Sequence, residues 1–154
     1  MRSILQQRSQ MNIKEIVIQG SSGHCGPRYV YSDELKITST TIAYECKPLM
    51  ETCSAIVYRK WSYETTNVDF ARTFEKIADA VCGILKLELD VMWLDCGSID
   101  FTVIYEDGNK ASRFFVCPSD VFEDCFRIIR QIIPSMEDVP ETLTVREEDC
   151  DENG

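Results

Sequence analysis

A run of alternating residues, Ile99-Asp-Phe101-Thr-Val103-Ile-Tyr105, meets Asp107-Gly108 and is followed by a second extended run, Ala111-Ser-Arg-Phe114-Phe-Val116-Cys117. Alternation puts every second side chain on one face of a strand, and Asp-Gly supplies the positive φ that a tight hairpin turn demands. With Asp107 and Gly108 as the two loop residues of a type I′ turn, Phe101 faces Phe114, Ile99 faces Val116 and Val103 faces Ser112. After Pro118, the residues Phe122, Phe126, Ile129 and Ile133 share one face of a helix that Pro134 stops. Asp120 is placed to cap this helix, with Glu123 three residues on completing a capping box. A hairpin feeding a helix is the unit this stretch specifies.

The preceding chain reads in similar terms. Residues 1–11 are polar and unpatterned, an N-terminal extension. Asn12 to Gln19, rich in β-branched residues, is a first strand, and it runs into the loop composition Gly20-Ser-Ser-Gly23-His24-Cys25-Gly26-Pro27. Leu35–Thr38 and Ile42–Cys46 alternate across a Ser-Thr-Thr connection, Ala55–Tyr63 is strand-like, and Val91–Asp95 is a further short extended run. Asn67 is placed to cap a helix beginning near Val68, with Phe70, Phe74, Ile77, Val81 and Leu85 on one face and Arg72, Glu75, Lys76 and Asp79 opposite.

The two helices share Phe-x3-Phe-x2-Ile-x3-(Val/Ile), at 70, 74, 77 and 81 and again at 122, 126, 129 and 133, an offset of 52 residues. Two readings fit: convergence of two amphipathic helices packed on one sheet, or a duplicated strand-strand-helix unit. Both give an α+β domain, an antiparallel sheet of about five to seven strands with two helices on one face, spanning residues 12–134. The other sheet face is expected to be mixed, with Asp100, Thr102 and Arg113 beside Ile104 and Phe115.

At 154 residues and 44% apolar, the chain has the size and composition of one globular domain. No apolar run approaches the roughly 20 residues that cross a bilayer, and the N-terminal stretch lacks a secretory core, so a cytoplasmic protein is expected. In that compartment the eight cysteines are expected to be free thiols that pack as small hydrophobes. Net charge is −10, but residues 137–154 hold eight acids against Arg146 alone, which leaves the body near balance and makes residues 135–154 an acidic tail expected to lie outside the domain.

Candidate chemistry is sparse. His24 is the single histidine, and its neighbour Cys25 points away from it in extended backbone, so a Cys–His pair has little support. The glycines of 20–26 lack the Lys-Ser/Thr ending and following helix of a phosphate cradle, although Arg28 leaves weak anion binding open. The closest cysteines in sequence are seven residues apart, which gives no zinc spacing, and no cofactor motif is present. Asp95 and Asp100 flank Cys96-Gly97 without the paired geometry of glycoside hydrolysis. The basic residues form no stripe, and an acidic chain repels phosphates, so direct nucleic-acid binding is not expected.

What this composition favours is a non-enzymatic interaction module, of the inhibitor or immunity type, that binds a basic surface of a partner protein. Tyr58, Trp61, Tyr63 and Trp93 are the candidate anchors. The alternative is a small enzyme or ligand-binding domain with a site in the Gly20–Pro27 loop, using His24, Cys25 and Arg28.

Overall fold

The computed structural model describes residues 12–22, 27–50, 55–89 and 96–144. Its strands are β1 (Ile13–Ser21), β2 (Tyr31–Ile37), β3 (Thr41–Pro48), β4 (Arg59–Glu64), β5 (Ser98–Tyr105) and β6 (Lys110–Val116). Helix α1 (Val68–Leu85) follows β4, and helix α2 (Glu123–Arg130) follows β6. Every strand pairing is antiparallel, in the order β4-β3-β2-β1-β5-β6. The α+β architecture read from the sequence is therefore the one observed, and each edge strand leads into one of the two helices.

Period-two alternation explains which side of the sheet is covered. Three rows run across all six strands on the covered face. One is Tyr63, Ile42, Ile37, Ile16, Val103, Ala111; the next is Trp61, Tyr44, Leu35, Ile18, Phe101, Arg113; the third is Arg59, Cys46, Asp33, Gly20, Ile99, Phe115. The buried members of these rows join Phe70, Phe74, Ile77 and Val81 of α1 and Cys125, Phe126 and Ile129 of α2 in one core. Phe101 is its centre, with the rings of Phe115, Phe122 and Phe126 all within 6.2 Å of its own, centroid to centroid. The opposite face is mixed and half-open: Lys36 lies 3.5 Å from Glu34 and Lys47 3.7 Å from Glu45, while Val17, Ile104, Phe114 and Val116 share that side. One wet face is the ordinary condition of an antiparallel sheet.

The β5–β6 register differs from the expected one by a single residue. Phe101 pairs with Arg113, Ile99 with Phe115 and Val103 with Ala111. The loop holds three residues, not two: the Gly108 amide donates to the Tyr105 carbonyl at 2.9 Å, the Tyr105 amide to the Asn109 carbonyl at 2.8 Å, and Gly108 takes φ of 90°. This is a turn closed by a glycine bulge, the usual alternative to the two-residue hairpin. A one-residue slip exchanges the faces of a strand. Phe115 accordingly joins the core, Phe114 and Val116 face solvent, and Arg113 lies on the covered side, where it stacks on Phe115 and donates to the carbonyl of Leu85 at the end of α1.

Helix α1 matches its expected limits, and Asn67 accepts a hydrogen bond from the Asp69 amide at 2.7 Å. Helix α2 does not start where expected. Ser119–Phe122 form a 3-10 turn, no side chain caps α2, and Glu123 pairs with Arg130 in place of a capping box. The short extended run at 91–95 falls outside the described residues. Of the cysteines, 46, 82, 96, 117 and 125 are described, none of them in a disulfide, with 46, 117 and 125 buried. None of the helices described is long and apolar enough to cross a membrane.

The packed chain does not stop at Pro134. It turns there, the Glu137 amide donating to the Pro134 carbonyl at 2.9 Å, and residues 138–144 return across the covered side of the sheet as a strap. Thr142 and Leu143, expected in the tail, are buried, the latter 1% exposed. Residues 145–154 lie outside the described residues.

Candidate binding site

Two features on the covered side of the sheet have the geometry of recognition: an open cleft beside β4, and the seat of the strap.

The cleft begins where β4 gives way to α1. The Thr65 amide donates to the Thr40 carbonyl at 2.8 Å, and Thr65 Oγ1 accepts from the Asn67 amide at 3.0 Å, which fixes the corner entering the helix. The opposite wall follows α2, which ends at Arg130, short of the expected stop at Pro134, so that Ile133 lies beyond the helix; the Gln131 and Ile132 amides donate to the Ile128 and Ile129 carbonyls in a tighter turn. Between them lies a cleft of about 330 Å³ walled by Tyr63, Phe70, Ile132, Ile133, Pro134 and Met136, with Thr65, Asn67, Asp69, Thr73, Gln131 and Ser135 supplying polar groups. Asp69 is exposed, and its ion pair with Arg72 is long at 3.9 Å. A solvated pair at that distance holds the carboxylate weakly. The lining offers hydroxyls, amides and one carboxylate but no imidazole or paired acid, a set suited to holding a ligand by contact.

The strap seat is built from the third row. Asp33 is 6% exposed, and Gly20 beside it lets the strap approach. A Cβ at position 20 would overlap Thr142 Oγ1 and stand 2.6 Å from Asp33 Oδ1 and 2.9 Å from Thr142 Cβ. The Thr142 hydroxyl donates to Asp33 Oδ1, while the Thr142 amide at 3.0 Å and the Tyr44 hydroxyl at 2.7 Å both donate to Oδ2. Tyr44 oxygen in turn accepts from the Glu141 amide at 2.9 Å. Arg59 lies over the Tyr44 ring, donates to the Val139 carbonyl at 2.6 Å, and stands 3.8 Å from Asp138 and 3.7 Å from Glu141. Arg130 donates to the Leu143 carbonyl at 2.9 Å. Burial pushes the Asp33 carboxyl above its ordinary value, against the pull of its donors. Burial, then the Asp33 charge, pushes the Tyr44 phenol up as well.

The expected anchors are dispersed. Tyr63 lines the cleft. Tyr58 is exposed and donates to Glu45 at 2.8 Å, a bond that holds the Glu45 carboxyl below its usual range. Trp61 is no surface anchor: alternation along β4 turns it inward, 9% exposed, with its ring 5.7 Å from that of Tyr44. Trp93 falls outside the described residues, as do His24 and Cys25. Arg28 is exposed in a 3-10 turn, its carbonyl accepting from the Ala55 amide at 2.8 Å. Gly20, expected in a loop, is the penultimate residue of β1, and the strap, not a phosphate, is what its missing side chain admits.

Among the described residues no group of three or more His, Cys, Asp or Glu side chains is placed to hold a metal ion. Asp33, Thr142 and the cleft residues of 131–136 were not legible as site residues, because segments distant in sequence bring them together. The one local signal was Gly20, a glycine directly after a β-branched run, where it can mark close backbone approach. No family model matches this chain, and no curated protein or solved structure matches it either.

Proposed function

We propose that this protein is a non-enzymatic interaction module that docks on a basic surface of a partner protein through the cleft beside β4. The observation that carries the reading is the cleft itself: an open apolar trough with the Asp69 carboxylate at its rim, on a chain of net charge −10. A lysine or arginine side chain suits it, the methylene stem lying on Tyr63, Phe70, Ile132 and Met136 and the head reaching Asp69. Asp69 also sits in the first turn of α1, where it offsets the positive end of the helix dipole that would otherwise repel a cation. Long-range attraction to a negatively charged chain accelerates encounter, and the trough supplies the contact.

The test is a titration of the isotopically labelled protein with an Arg/Lys-rich peptide and, separately, with an acidic peptide of equal length. The basic peptide is expected to shift the amide resonances of Tyr63, Asn67, Asp69 and 131–136, less so as salt is raised, and Asp69→Asn to weaken the response. Equal response to the acidic peptide, or shifts that avoid the cleft, would refute the reading.

A further inference from the structure

We propose that the seat formed by Arg59, Tyr44, Asp33 and Gly20 is a peptide-recognition socket, and that the strap is its in-cis occupant, displaceable by a peptide that presents a carboxylate, then threonine, then an aliphatic residue in one tight turn. The inference is independent of the basic-partner reading, since the ligand of the socket is acidic and its site is not the cleft.

The contacts are those by which proteins read peptide main chain. Arg59 and Arg130 donate to strap carbonyls, and Tyr44 and Asp33 accept from strap amides, so four main-chain groups of a segment whose Glu141–Leu143 form a single 3-10 turn are met by side chains from elsewhere. Selectivity is added at three points. Arg59 faces the carboxylates of Asp138 and Glu141. Asp33 takes the Thr142 hydroxyl, and Gly20 leaves room for a side chain no bulkier at its base. Leu143 is fully enclosed. Combined use of backbone bonds and side-chain pockets is the general scheme for holding a peptide.

The strap is also joined to the body in a way that permits exchange. Its entry is a turn at Pro134–Glu137, beside the 81%-exposed Met136, so opening needs no helix or strand to break. In the intact protein the tethered copy wins because its effective concentration exceeds that of any free competitor. The apparent affinity for an outside peptide then scales with the fraction of molecules whose strap is open.

The experiment uses the full-length chain and a fluorescent synthetic peptide of residues 136–144. Full-length Leu143→Ala, with a weakened strap, is expected to bind this probe about tenfold more tightly than the unmodified protein, following its larger open fraction. A probe with valine in place of the threonine should lose that gain. Hydrogen exchange on the unmodified protein supplies a second measurement should Leu143→Ala fail to fold: the Glu141 and Thr142 amides should exchange about a hundredfold faster than those of Ile18 and Phe101, through local opening. A folded Leu143→Ala chain that ignores the probe, or strap amides protected as long as the central strands, would overturn the proposal.

Discussion

Gly20→Ala tests the strap seat most directly. The new methyl group collides with three atoms, two of them on Thr142, and strand β1 cannot retreat because β2 and β5 pair with it on both sides. The strap must give way. Losing it exposes Leu143, a burial of about 1.5–3 kcal/mol, and removes two hydrogen bonds to a buried carboxylate. Rehydration of Asp33 through the opened seat recovers part of that loss, so the net cost is about 2–4 kcal/mol, typical of overpacking and buried-network damage. Urea denaturation of Gly20→Ala, Thr142→Gly and the double variant measures it. Thr142→Ala would be a poorer partner, because its Cβ would still lie 2.9 Å from the new methyl. Removing the Thr142 side chain makes room for the alanine, so the double variant should be more stable than the sum of the single losses implies, by about 1–2 kcal/mol of coupling. Strict additivity would show that Gly20 and Thr142 do not meet.

Three further outcomes are expected. Phe126→Ala should destabilise by about 3–5 kcal/mol in the same denaturation assay, since the ring is fully buried against Phe101 and Phe122; a loss under 1 kcal/mol would misplace the core. Because the Asp33 carboxyl is raised above its ordinary 3.8, the stability it contributes is fully present below that value and is lost as the pH rises through the folded value. The melting temperature of the native protein relative to Asp33→Asn should therefore be higher at pH 4 than at pH 7, and the opposite slope would show that the donors, not burial, dominate the site. Burial holds the Cys125 thiol at about 12 and Cys117 at about 11, so a thiol-alkylating reagent at pH 7.5 (a buffer choice of about this value keeps both protonated) should label neither until the protein unfolds, as peptide mapping would read.

Legibility followed the length over which a signal acts. Helix α1 was readable because its cap and its apolar stripe from Phe70 to Leu85 both lie within its own sequence. The hairpin was readable as a hairpin but not in register: Asp107-Gly108 fits both a two-residue turn and the bulged three-residue loop, and the choice depends on whether Phe114 or Phe115 finds the aromatic cluster. Glu123 satisfied the spacing of a capping box, yet Arg130 on the same face offered a charged partner, and a 3-10 turn replaced the expected helix start. The strap was missed for a different reason. Its composition is that of a solvated tail, and only a buried carboxylate 109 residues away in sequence, revealed by the fold, makes Thr142 a core residue.

The first of the described strands occupies the middle of the sheet. One flank of β1 is met at once by β2, but the other is met by β5, whose residues lie more than 75 positions further along. Until Ser98–Tyr105 is available, a nascent chain holding β1 to β4 presents an unsatisfied backbone margin flanked by Ile16, Val17 and Ile18. Closure of that margin is a long-loop event, so it sets the pace of folding and defines the interval in which the chain is most exposed to strand-mediated aggregation.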